Sequence, residues 1–266
     1  MGSRLSAVCF AANRPARVAR FWVELLGWAA VDAVTLRPGD DDGFRIRFVA
    51  SDEPKAGQNR AHFDLTSDSL AGQERTVARV LELGGRHVDV GQLPEEEHVV
   101  LADPEGNELC VIEPGNKFLA GCGFVGALAC DGSQAVGYFW SAALGWPLVW
   151  DQNQETAIQS PRGGSKITWS GSPVGPGIGP DRVTFDLTPT GDLRAEVDRL
   201  ISLGATHLGT SAESVRLADP DGTEFRVLAR PTEPAEKTTG HPAEPAEETA
   251  HRPAGPDDES ARRPAA

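Results

Sequence analysis

His62, Asp64 and Thr66 alternate along HFDLT, and Glu108, Cys110 and Ile112 alternate along ELCVI. In an extended strand, side chains two residues apart point the same way. One strand would then present an imidazole beside a carboxylate, and another a carboxylate beside a thiol. His62 with Asp64 or Glu108 could act as an acid–base pair. The segments TFDLT and EFRVL repeat the arrangement with Thr184, Asp186 and Thr188 beside Glu224, Arg226 and Leu228. There the imidazole is gone, and a guanidinium stands where Cys110 stood. Each of these residues also has a structural reading. Asp64 and Asp186 can bond strand ends or backbone amides. Glu108 and Glu224 can pair with arginines, and Cys110 can be a small buried apolar side chain.

The elements that must hold these residues are legible twice. ARFWVELLGW (19–28) returns as GYFWSAALGW (137–146), RVLELGGRHV (79–88) as RLISLGATHL (199–208), and LADPEGNELC (101–110) as LADPDGTEFR (217–226). Two long homologous units follow from this spacing, not a short-period array. In each, a short apolar strand (5–12 or 124–130) precedes a helix. Val18, Phe21, Trp22 and Leu25 have helical spacing, and Gly27 and Gly145 sit where a helix stops on a left-handed residue. Asn13 and Asp131 are the expected N-caps. A second helix is expected over 68–83 and its partner over 192–203, each stopping at a glycine. Strands fill the rest. Phe63 and Leu65 should pack on the helices, leaving the polar alternates on the other face. The DPxG segments read as tight turns, with Pro presetting φ and Gly taking the turn position. His87 and His207 read as surface residues, and Trp28 and Trp146 as core. Runs of strands broken by single helices give an α+β class.

The chain has 266 residues and a formal charge of −14. An acidic chain is a poor binder of phosphate backbones, so no nucleic-acid partner is expected. The four cysteines show no CxxC spacing and read as free thiols in a reducing compartment. With no secretion signal and no apolar run long enough to span a bilayer, a cytoplasmic protein without a membrane partner is expected. From 231 to 266 the chain is rich in Pro, Glu and Ala and nearly free of large apolar residues. It is expected to be a disordered tail.

The order of strand, FW…LLGW, HFDL and ADPEGNEL, met twice over about residues 4–230, resembles the vicinal oxygen chelate superfamily. That group includes glyoxalase I, bleomycin-resistance proteins and extradiol dioxygenases. The resemblance implies two tandem glyoxalase-like domains, at 1–114 and 123–230 with a linker at 115–122. Each would be built of paired βαβββ modules whose sheets curl around a cavity. It also implies where a metal would be held: at the first strand, at the start of the HFDL strand, and at a Glu after DPxG. Carried over, the first unit offers Ser6, His62 and Cys110, and the second Phe124, Thr184 and Arg226. No His, Asp or Glu lies in Ser3–Phe10, where Cys9 is the one other donor of note. Arg226 has no lone pair to give. No cofactor and no family-type metal is therefore expected. A divalent metal (Fe, Zn, Ni or Mn) at His62 and Cys110 is the minor alternative.

The expectation that follows is a protein that binds or sequesters a small aromatic or cationic natural product, as metal-free relatives of the bleomycin-resistance type do. Ser6, His62, Asp64, Cys110, Asp186, Glu224 and Arg226 would line the cavities, with Trp150 and Trp169 as candidate aromatic walls, core staying the favoured reading of both. The alternative is an enzyme of secondary metabolism, a lyase, isomerase or dioxygenase, with His62, Asp64 and Glu108 as its catalytic groups. A monomer is expected, since two units in one chain can supply what single-unit relatives gain by pairing. A homodimer is the other reading.

Overall fold

The structure, a computed structural model, describes residues 2–39, 44–93, 95–171 and 181–229. The expected tail at 231–266 lies outside them. One order of elements occurs four times. The first module is β1 (Ser3–Ala12), α1 (Pro15–Leu26), β2 (Ala29–Ala30), β3 (Thr35–Arg37) and β4 (Arg45–Ala50). The second is β5 (Ala61–Leu65), α2 (Leu70–Glu82), β6 (Arg86–His87), β7 (Val99–Ala102) and β8 (Glu108–Val111). The third is β9 (Val125–Asp131), α3 (Gln134–Leu144), β10 (Leu148–Gln152), β11 (Glu155–Ser160) and β12 (Gly163–Ser170). The fourth is β13 (Val183–Pro189), α4 (Leu193–Ser202), β14 (Thr206–Thr210), β15 (Ser214–Ala218) and β16 (Glu224–Leu228). This is the α+β architecture of paired βαβββ modules.

Local chemistry sets the helices. Gly27 and Gly145 close α1 and α3 at φ of 67° and 68°, as the sequence requires. Ser69 and Asp192 cap α2 and α4 by accepting from Gly72 N and Ala195 N. The expected caps at Asn13 and Asp131 are corrected. Pro15 occupies the first turn of α1, which moves the N-cap to Arg14. Asp131 ends β9, with its N–H on Arg60, and Ser133 caps α3.

Within each module the first and last strands pair in parallel, as β1 with β4 and β5 with β8. Between modules the first strands pair antiparallel, and they do so across the repeats: β1 with β13, and β5 with β9. Sheet A therefore runs β14-β15-β16-β13-β1-β4-β3-β2, and sheet B runs β10-β11-β12-β9-β5-β8-β7-β6. Each eight-stranded sheet takes half its strands from each sequence repeat.

Packing explains why the repeat is nonetheless a unit. The helices and one face of each sheet share a single apolar core. In the first repeat, Trp22 of α1 packs edge-on against Phe63 of β5 at 5.4 Å and donates its indole N–H to Asp103 at 3.0 Å. In the second, Trp140 of α3 meets Phe185 at 4.8 Å and donates to Asp219 at 3.1 Å. The two DPxG aspartates also gather the amides of their own turns. The next acid in each turn, Glu105 or Asp221, accepts backbone N–H groups just ahead of α1 or α3. The FW and DPxG signatures thus mark one contact made twice, joining two modules of a repeat across different sheets.

Candidate functional site

The face of each sheet turned away from the core carries the polar alternates. In sheet B, Ala61, Phe63 and Leu65 are buried in the core, which turns His62 and Asp64 the other way. Across the β5–β9 pairing, His62 stands opposite Ala129 and Asp64 opposite Ala127. Across the β5–β8 pairing, Asp64 stands beside Cys110. The result is a compact cluster: His62 Nε2 lies 3.4 Å from Asp64 Oδ1, and the donor atoms of His62, Asp64 and Cys110 all fall within 4.8 Å of one another. The His62 side chain is 33% exposed, whereas Cys110 lies at the floor with 6% exposure.

Burial works against charge on His62, but hydrogen bonds to Asp64 and Cys110 and the negative charge beside it outweigh that cost and push its pKa up to about 10. The imidazolium is thus the resting form at neutral pH. A raised pKa stabilises the fold fully below the unfolded value of 6.5 and is lost as pH climbs toward 10. We expect the wild-type melting temperature to fall over that window by more than that of His62→Gln. Parallel pH profiles would refute the assignment.

An apolar patch adjoins the cluster. Val100, Cys110, Ile112, Leu119 and Ala127 pack together, with Val90 and Phe118 against them. Leu119 and Phe118 belong to the expected linker, so the linker is a wall of the site and not only a spacer. Lys166 of β12 holds it by bonding the Phe118 carbonyl and standing over the Phe118 ring, and Trp150 meets that ring at 5.5 Å. The apolar Phe118-Leu119 pair within a polar linker was the sequence signal for this. Trp150 Nε1 is buried with no hydrogen-bond partner among the described residues.

The other expected site residues are distributed differently. Ser6 is corrected: β1 belongs to sheet A, and there its hydroxyl bonds Thr188 instead of joining His62 and Cys110. Trp169 takes the core reading. It lies one residue out of phase with Thr168, faces the core at 3% exposure, and stacks with Trp140 at 6.4 Å. Glu108 is held by Lys55 Nζ at 2.6 Å and by the Asn59 amide at 3.2 Å, which engages both its oxygens. Glu224 forms a two-point pair with Arg216. Asp186 is buried and accepts from Arg226 Nε at 2.7 Å and Nη2 at 2.9 Å. His87 and His207 are exposed. Cys9, Cys110, Cys122 and Cys130 are free thiols.

Whether the residues suit a family-type metal follows from the two registers. In sheet B the nitrogen, oxygen and sulfur donors of His62, Asp64 and Cys110 converge, a mixture suited to zinc more than to hard cations. All three come from β5 and β8. The places across from them are Ala127 and Ala129, and Lys166 stands beyond Ala127. In sheet A the guanidinium of Arg226 fills the place of a ligand and turns to Asp186. Neither sheet holds the set that the resemblance implies, although sheet B holds three donors.

A family model described as a glyoxalase-like domain matches residues 7–112 and again 126–228. The chain belongs to the glyoxalase-like domain family. Among solved structures, glyoxalase I from Zea mays is similar at 14% identity with a TM-score of 0.59, over 85% of this chain and 92% of that one. A presumed dioxygenase from Bacillus subtilis is similar at 15% identity with a TM-score of 0.54, over 85% of this chain and 84% of that one. At such identities the likeness shows the fold. Comparison with curated proteins finds no match. This glyoxalase-like protein thus has two copies of its domain and two unlike polar centres, one in each sheet. Among the described residues, no helix is long and apolar enough to cross a membrane.

Proposed function

We propose that this glyoxalase-like protein binds, and by binding sequesters, a small planar organic molecule on the far face of sheet B, without a family-type metal. One observation carries the reading: the partly exposed imidazole of His62, kept protonated by Asp64 and Cys110, borders an apolar patch walled by Phe118 and Leu119. Such a surface offers a hydrogen-bond donor at its polar end and aromatic or aliphatic contact beside it, the usual composition of a small-molecule site. The unpartnered indole N–H of Trp150 is a further donor near the Phe118 wall.

The carboxylates that first suggested a cationic ligand have cations of their own. Asp64 is matched by His62, Glu108 by Lys55, Glu224 by Arg216, and Asp186 by Arg47 and Arg226. A planar ligand with an acceptor oxygen is therefore the better fit. An enzymatic reading keeps one specific support. His62 and Asp64 form a proton-exchanging pair with a thiol at the same point, which suits proton transfer in a lyase or isomerase.

The test is a thermal-shift and calorimetric screen with phenolic and quinonoid aromatics, run alongside elemental analysis of tag-free protein. We expect a ligand recovered unchanged, with affinity reduced at least about tenfold in His62→Gln, the loss expected for a charged hydrogen bond. Metal should be far below one ion per chain. Conversion of the ligand by wild type but not by His62→Gln would replace the binding reading with the enzymatic one. A near-stoichiometric metal lost in His62→Ala would overturn the metal-free reading.

A further inference from the structure

Sheet A has a polar centre of its own. Reading across its far face, Arg226 of β16 lies beside Asp186 of β13, which stands opposite Ala7 of β1, while Arg47 of β4 lies beside Cys9. The Asp186 carboxylate is wholly buried. It accepts from Arg226 Nε and Nη2, from Arg47 Nη2, and from the Cys9 thiol at 3.2 Å. Two guanidiniums share one carboxylate, which leaves one positive charge uncompensated within the trio.

The exposures differ in a telling way. Asp186 has 1% of its side chain exposed, while Arg47 and Arg226 have 24% and 30%. The carboxylate is buried, and the two guanidiniums that bond it belong to partly exposed side chains. Arg47 Nε is buried and has no hydrogen-bond partner among the described residues. The flanking Arg216 is matched by Glu224 and leaves the sum unchanged. Arg4, Arg37 and Arg45 share this face by register, each with interactions of its own. On a chain of formal charge −14, this face gathers guanidinium donors.

We propose that the far face of sheet A is a second ligand site, separate from His62, that takes an oxyanion group, carboxylate or phosphate, on Arg47 and Arg226. Planar guanidinium forks match the oxygens of such groups with paired N–H donors. Asp186 acts as the positioning residue: it orients both forks, which lowers the entropy cost of arranging them around a ligand. Where the sequence loses a metal ligand to Arg226, the site gains a fixed cation, which attracts the same oxyanion chemistry without a metal.

The full chain would be titrated calorimetrically with inorganic phosphate and, separately, with benzoate, each against chloride at equal ionic strength. Saturable binding of either that persists in His62→Gln supports the proposal, and which one so binds separates a phosphate site from an organic-acid site. Arg47→Gln keeps the two-point Arg226–Asp186 pair, and an unchanged melting temperature would verify its fold. We expect it to weaken binding at least about tenfold, with Arg47→Lys in between because it restores charge but not the fork. His62→Gln should leave this binding unchanged. No binding beyond the chloride control would overturn the proposal. So would binding that survives Arg47→Gln or disappears in His62→Gln.

Discussion

Trp140→Ala is expected to cost on the order of 4–5 kcal/mol of folding stability, near the top of the range for emptying a buried aromatic site. Trp140 is 1% exposed and meets Phe139, Phe185 and Phe225 edge-on at 5.2, 4.8 and 5.0 Å, while stacking on Trp169. Alanine would leave a cavity between α3 and sheet A. It would also remove the indole donor from Asp219, whose pKa burial already raises to about 6 against the pull of the hydrogen bonds from Trp140 and from the Thr223 and Asp221 amides. A buried carboxylate stripped of one donor is costlier still to keep ionised. Domains are commonly stable by only about 5–15 kcal/mol, so the variant should sit close to unfolding at room temperature. Trp140→Phe keeps one six-membered ring but gives up the indole donor and part of the buried bicycle, and is expected at about 2–3 kcal/mol. Urea titration followed by far-ultraviolet circular dichroism would measure both. Equal midpoints for the two variants would show that packing does not set the cost.

Asp186→Ala is the second large effect, expected at about 3 kcal/mol, the lower end for breaking a buried ion pair because both guanidiniums keep partial contact with water. The loss comes less from the missing attraction than from what remains: Arg226 and Arg47 left close together with no anion between them. Removing the charges together should be far milder, so Asp186→Leu combined with Arg226→Leu is expected to recover much of the loss. If these arginines grip an oxyanion, phosphate should raise the melting temperature of Asp186→Ala more than that of wild type, with chloride at equal ionic strength unable to substitute. A single variant as stable as wild type would mean that the carboxylate does not organise this face.

The local chemistry of the chain was open to direct reading. Two-residue alternation put His62 with Asp64, and Cys110 with Ile112, on common faces, and helical spacing with Gly27 and Gly145 marked where α1 and α3 run and stop. These features are short-range, because the periods of strand and helix are written within a few residues of one another. Repetition of the FW and DPxG segments likewise announced two homologous units, though not that the two segments meet in each, indole to turn aspartate.

Which strands became neighbours was decided only in three dimensions. The first strands of all four modules offer similar backbone ladders, and alternation does not say which pairs with which. The tertiary structure joins β5 to β9 and β1 to β13, and everything specific to the two sites follows from that choice. It places Ser6 against Thr188, brings Arg47 over Asp186, and sets alanines opposite His62 and Asp64. Loop residues show the same limit. Lys55 reaching Glu108, and Leu119 covering Cys110, depend on where a connection without periodicity is laid. The sequence by itself determined the order of helices and strands and which alternate side chains share a face, since those are properties of a local backbone period. Only the tertiary structure decided which charges meet, since that depends on packing between segments more than a hundred residues apart, such as Arg47 and Asp186.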